Sequence, residues 1–170
     1  IDPVVAVNNS VAWYRNEGGG AFGLPDSIGP YTGLAFATGL DCDDLDADGD
    51  IDVAIVMDAG TIDHVLCYMN DGTGGFTSAS VVSNQVQTPV SVRIADLDED
   101  GDQDLLVSSL GEGKIIWFQN NGFGSFSGAL LVAMVSSDFT TAFDVDADGD
   151  EDVVSSSYAG IQWFQNSGDG

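Results

Sequence analysis

Aspartate is the residue in which this chain concentrates its chemistry, and the aspartates recur in one pattern. Residues 44–52 read DLDADGDID, residues 96–104 read DLDEDGDQD, and residues 144–152 read DVDADGDED. Asp44, Asp46, Asp48, Asp50 and Asp52 thus hold positions 1, 3, 5, 7 and 9 of the first loop. Asp96, Asp98, Asp100, Asp102 and Asp104 hold them in the second, and Asp144, Asp146, Asp148, Asp150 and Asp152 in the third. Carboxylates this close cannot all ionise in a folded loop unless positive charge sits among them. Side chains at positions 1, 3, 5 and 9 can converge, the glycine at position 6 permits a sharp turn, and residue 7 offers its backbone carbonyl. All-oxygen ligation of this kind suits Ca²⁺, which takes six to eight oxygens at about 2.3–2.6 Å. Zinc wants nitrogen or sulfur, and Mg²⁺, the second choice, prefers fewer carboxylates and more water. About three Ca²⁺ sites are expected.

An EF-hand is the natural competitor, because its loop begins in the same way. Position 12 argues against it: Ile55, Val107 and Ser155 stand where the bidentate Glu would be, and the flanks read as strands rather than helices. Position 2 is apolar each time, as Leu45, Leu97 or Val145, which fits a loop leaning on a sheet core. The side chains of Asp50, Asp102 and Asp150 are expected to face solvent, since position 7 ligates through its carbonyl. Asp41 and Asp43 read as surface charge.

The elements that must hold these loops follow from a second repeated segment. It reads VAWYRNEGGGAF from Val11, VLCYMNDGTGGF from Val65, IIWFQNNGFGSF from Ile115 and IQWFQNSGDG from Ile161. The acidic loops begin 52 and 48 residues apart. Asp2 stands 11 residues before Trp13, as Asp152 stands before Trp163, so Asp2 reads as the last residue of another acidic loop, and both ends read as cuts through a longer array. Short apolar segments separated by Gly, Asn and Asp turns predict strands, with no helical periodicity of any length. In one repeat the strands are Val90 to Ala95, Leu105 to Ser109, Lys114 to Gln119 and Phe126 to Ala133. The acidic loop joins the first two. Four-stranded antiparallel meanders repeating at about 50 residues predict an all-β fold of propeller blades, open or partial at about three repeats plus an overlap. The blades are expected at residues 1–30 (partial), 31–86, 87–136 and 137–170 (partial).

Composition narrows the function. Three basic residues against 28 acidic ones leave a formal charge of −25, which repels nucleic acid and anionic membrane surfaces alike. No apolar run approaches 18 residues, so membrane insertion by a helix is not expected. A hydrophobic fraction of 44% with three Trp and nine Phe argues for a folded chain rather than a disordered one. Cys42 and Cys67 lack the spacing of a metal site, and free thiols and a single bridge both remain open.

The D-x-D-x-D-G-D-x-D loops, each followed by W-F-x-N-x-G-x-G-x-F, resemble the FG-GAP/VCBS repeat family, the blades of integrin-alpha-like β-propellers. The resemblance covers essentially the whole chain, with Cys67 standing where other copies have Trp13, Trp117 and Trp163. It implies a secreted or cell-surface protein whose aspartate loops bind Ca²⁺.

Catalysis has little to work with. His64 has no nucleophile placed beside it by any motif, and the carboxylates are engaged as ligands. The expectation is therefore a non-catalytic, calcium-rigidified structural or adhesion scaffold of an extracellular or cell-surface protein. Its partners would be further blades or copies of the array, or extracellular proteins. The alternative is a lectin that binds glycans on the faces of Trp13, Trp117 and Trp163, although packing between blades is the better use of those rings. Asn8-Asn9-Ser10 forms an N-glycosylation sequon, with Asn8 the candidate acceptor.

Overall fold

The computed structural model describes residues 2–7, 10–30 and 36–168, so Asn8 lies outside the described residues. Four antiparallel sheets follow one another along the chain, and the described residues contain no helix. The first sheet holds β1 (Val4–Val7), β2 (Ser10–Gly18) and β3 (Ala21–Pro30). The second holds β4 (Phe36–Asp43), β5 (Asp52–Asp58), β6 (His64–Tyr68) and β7 (Ser80–Ser83). The third repeats that order with β8 (Pro89–Ala95), β9 (Asp104–Ser109), β10 (Lys114–Phe118) and β11 (Leu130–Ala133). The fourth holds β12 (Phe139–Phe143), β13 (Asp152–Ser157) and β14 (Gly160–Phe164). Each sheet is a meander, and the arrangement is that of propeller blades without ring closure.

Register follows the period-two alternation of the strands. Along β5, Val53, Ile55 and Met57 pack toward the first sheet with Val11 and Ile28, while Ala54 and Val56 pack toward the third. Along β10, Ile116 and Phe118 face the second sheet, and Ile115 and Trp117 face the fourth. Central strands such as Asp104–Ser109 are therefore buried on both faces, which is why Leu105, Leu106 and Val107 stand side by side rather than alternating with polar residues. Each Leu, Val, Ile or Phe so buried contributes roughly 1.5–3 kcal/mol. The sheets are held together by packing of this kind and by a few bonds between their first strands. Thr38 Oγ1 donates to Pro89 O at 2.6 Å, and Ile94 N–H donates to Asp41 Oδ2 at 3.0 Å.

Two expectations change, and an open one is resolved. The last strand of the third sheet begins at Leu130, not Phe126, because the chain first closes a turn in which Ser127 N–H donates to Gln119 O at 2.8 Å and Phe126 makes only a bridge to Asn120. Asp41 is not free surface charge: its Oδ2 accepts the Ile94 N–H and lies 3.5 Å from Arg93 Nη1 of the next sheet. Cys42 and Cys67 are both free thiols, lying in different interfaces with β5 between them. Burial, helped by Asp41 and Asp43, raises the Cys42 thiol to about 11.

Candidate metal centre

All three acidic loops connect the first strand of a sheet to the second, so the meander carries them to the same end of every blade. Their backbones share one shape. Gly49, Gly101 and Gly149 take φ of 94°, 90° and 108°, as a position-6 glycine requires. Position 4 was not singled out from the sequence, yet Ala47, Glu99 and Ala147 also adopt left-handed φ of 59°, 59° and 64°. Non-glycine residues held there cost roughly 1–3 kcal/mol each and persist only where their surroundings over-determine them.

Hydrogen bonds sort the aspartates by position. At position 1, Asp44, Asp96 and Asp144 each accept the N–H of the position-6 glycine, at 2.9, 3.0 and 3.2 Å. At position 5, Asp48, Asp100 and Asp148 each accept the N–H of residue 7, at 2.9, 2.9 and 3.2 Å. At position 3, Asp98 accepts from the Gln119 side chain and Asp146 from that of Gln165, at 2.7 Å in the latter.

Position 9 is the pivot of the loop. Asp52, Asp104 and Asp152 are completely buried. Each takes the N–H of position 2 on Oδ2, at 2.8, 3.2 and 3.1 Å, and the N–H of Asn70, Asn120 or Asn166 on Oδ1, at 2.8, 2.7 and 2.8 Å. Asp2 makes the corresponding 2.6 Å bond to Asn16 N–H, in keeping with its reading as the last residue of an acidic loop. Burial raises the Asp52 and Asp104 carboxyls to about 6 against these same hydrogen bonds. At Asp152 burial is outweighed by the donors from Asn166, Val145 and Trp163, and the carboxyl sits below its ordinary value.

Position 7 behaves differently from the expectation of solvent-facing side chains. The carboxylates of Asp50, Asp102 and Asp150 lie against Gly72, Gly122 and Gly168, each the glycine of the following N-x-G turn. Asp102 Oδ1 occupies space 2.5 Å from where a Cβ on Gly122 would stand.

Carboxylate oxygens of Asp44, Asp46 and Asp48 come within 4.8 Å of one another. So do those of Asp96, Asp98 and Asp104, and those of Asp144, Asp146 and Asp152. Oxygens that share one Ca²⁺ at about 2.3–2.6 Å stand no more than about 5 Å apart, so the spacing fits. The donor set fits as well: Asp46 Oδ1, Asp96 Oδ1 and Asp98 Oδ1 are buried with no hydrogen-bond partner, a state that a hard cation would relieve. Burial, then Asp48, raises the Asp46 carboxyl, and burial, then Asp100, raises Asp98. Of the basic residues, Arg93 pairs with Asp41 and Lys114 with Glu112, and Arg15 lies over the Trp13 ring in a cleft that also takes in Gly49 and Asp50 of the first loop.

The following N-x-G turns do more than the sequence disclosed. Asn120 Nδ2 donates to Gln103 O at 2.8 Å and to Leu45 O of the preceding loop at 2.7 Å. Asn166 Nδ2 does the same with Glu151 O at 3.2 Å and Leu97 O at 2.6 Å. One amide thereby stitches position 8 of its own loop to position 2 of the loop before. The asparagine at the same place in every copy, Asn16, Asn70, Asn120 and Asn166, was the available signal. Trp117 packs between the third and fourth sheets and Trp13 against the cluster between the first and second, whereas Trp163 is 47% exposed.

Residues 44–107, spanning the first two acidic loops, match the family model described as an FG-GAP-like repeat, so the resemblance read from the sequence is shown over that segment. No curated protein matches the chain. A solved structure from Photorhabdus luminescens, the pore of the Tc holotoxin, aligns with 95% of this chain and 8% of its own at 19% identity and a TM-score of 0.50. A lectin of Agrocybe aegerita, whose structure is described by its recognition of non-reducing terminal N-acetylglucosamine, aligns with 99% of this chain and 60% of its own. Its identity is 20% and its TM-score 0.48. The chain spans less than two thirds of either, and at 19% identity the likeness to the holotoxin pore concerns the fold alone.

Proposed function

From a chain whose residues 44–107 match the FG-GAP-like repeat, we propose a non-catalytic, calcium-binding β-propeller module that acts as a structural or adhesion scaffold in a secreted or cell-surface protein. The observation that carries this reading is the threefold convergence of carboxylate oxygens within 4.8 Å, several of them buried and otherwise unpaired. The carboxylates at positions 1, 3, 5 and 9 of each loop, which converge as Asp44–Asp46–Asp48, Asp96–Asp98–Asp104 and Asp144–Asp146–Asp152, would hold the ion, and the residue-7 carbonyls of Asp50, Asp102 and Asp150 would complete the set. Asp52, Asp104 and Asp152 would in addition tie each loop to its blade through the backbone N–H groups they accept. The ion supplies positive charge that neither ion pair among the described residues, Arg93 with Asp41 or Lys114 with Glu112, brings to the converging carboxylates. Because the folded loop binds it and the unfolded chain hardly does, binding free energy becomes folding free energy.

The scaffold role draws on the blade faces. Ile161 and Trp163 of β14 are 78% and 47% exposed, while their counterparts Ile115 and Trp117 are 0% and 8% exposed against the next sheet. That face suits a further blade of the same kind. No helix among the described residues is long and apolar enough to cross a membrane.

Calorimetric titration of metal-free protein tests the reading. About three Ca²⁺ bound per chain, with Mg²⁺ far weaker, is expected; no heat of binding at millimolar Ca²⁺ would overturn it.

A further inference from the structure

The three loops are alike in their ligand positions and unlike at position 8, where Ile51, Gln103 and Glu151 stand. Position 8 is where a loop meets its predecessor. Asn166 Nδ2 bonds at once to Glu151 O and Leu97 O, which sets Glu151 beside Leu97 and hence beside Asp96, the first carboxylate of the second loop. Asn120 Nδ2, bonded to Gln103 O and Leu45 O, sets Gln103 beside the first loop in the same way. A small cavity of about 190 Å³ at that first junction is lined by both Asp44 and Gln103.

We propose that Glu151 reaches across the blade interface to serve as an additional carboxylate ligand of the second loop's cation, making the Asp96–Asp98–Asp104 site the tightest of the three. The inference rests on the calcium reading of these loops. Its own support is that Glu151 Oε2 is buried without a hydrogen-bond partner, as are Asp96 Oδ1 and Asp98 Oδ1 on the other side of the junction. Anionic oxygens left unpaired on both sides of an interface repel each other and lose their water, and all three basic side chains are placed elsewhere. A divalent ion between them removes both penalties. The first loop receives only the neutral Gln103 in this place, and ligand charge count is one of the quantities that tunes calcium affinity. Calcium at the second loop would then clamp the third blade to the fourth as well as closing its own loop.

The position-6 glycine amides give a separate reporter for each site, since Gly49, Gly101 and Gly149 N–H all donate to the position-1 carboxylate. Amide NMR spectra of the chain, titrated with CaCl₂, should show the Gly101 signal reaching its midpoint at lower calcium than those of Gly49 and Gly149. E151Q, nearly the same shape, should raise the Gly101 midpoint about tenfold and leave Gly49 unmoved. Q103E, which installs the same carboxylate at the first junction, should lower the Gly49 midpoint. Unchanged Gly101 and Gly49 midpoints in the two variants, with all three amides still responding to calcium, would overturn the proposal while leaving the calcium reading intact. Silence of all three amides in the unmodified chain would overturn both.

Discussion

The side-chain amide of Asn120 donates to the carbonyl of Leu45, 75 residues away, at 2.7 Å, and Asn120 is 3% exposed. The same nitrogen holds Gln103 O, so one side chain satisfies two carbonyls from two loops. N120A would leave both without this partner in a place that water reaches poorly, and each such loss costs about 1–3 kcal/mol. Asn70 Nδ2 donates to Ile51 O at 3.1 Å and stands in a more exposed turn. Urea unfolding should therefore show N120A destabilised by about 2–4 kcal/mol, and N70A by clearly less.

A second relation between positions is steric. Gly122 has φ of 74°, and a Cβ there would lie within 2.5–2.6 Å of both Asp102 carboxylate oxygens, whereas Gly101, at φ of 90°, has nothing within 4 Å. G101A then costs the backbone term alone, about 1 kcal/mol, and G122A adds the clash. Chemical denaturation should rank G122A as the worse by about 1–2 kcal/mol, and adding D102A to G122A should recover much of the difference, a coupling that distant sites do not show.

The loops, the meander and the two-faced strands were legible because each rests on a local rule. Alternate aspartates with Gly at position 6 have few stable uses, and VLCYM or IIWF is an apolar run of strand length bounded by turn residues. What escaped the sequence lies in contacts between repeats. Nothing local distinguishes Asn120 from a turn asparagine until the preceding loop offers Leu45 O. Asp41 reads as surface charge until Ile94 N–H arrives from the next sheet. Position 9, expected among the ligands, also accepts two backbone donors that the sequence did not disclose, since a carboxylate with 0% exposure needs those bonds simply to be there.

Acidity should stabilise the metal-free chain. Burial raises the Asp52 and Asp104 carboxyls to about 6, while in the unfolded chain they titrate near their ordinary value of 3.8. Between those values the folded state holds more protons than the unfolded one, so stability falls as pH rises through the window and stays lower above it. Asp152, held below its ordinary value, titrates below this window and so does not alter the comparison between pH 4.5 and pH 7.5. Chelator-dialysed protein should melt at a higher temperature at pH 4.5 than at pH 7.5. Saturating calcium should remove or reverse that order, since the ion binds the ionised carboxylates. A metal-free melting temperature that climbs steadily from pH 4.5 to 7.5 would contradict the assignment of these two buried groups.

Thermal unfolding with and without calcium bears on the whole account most directly. At free calcium a hundredfold above the dissociation constant, each occupied loop adds about 2.7 kcal/mol, and a chain of this size gains roughly 2–4 °C per kcal/mol. Scanning calorimetry at neutral pH should show the transition rising by at least about 10 °C between chelated and calcium-saturated protein. Coincident transitions under the two conditions would mean that the aspartate loops stand without an ion.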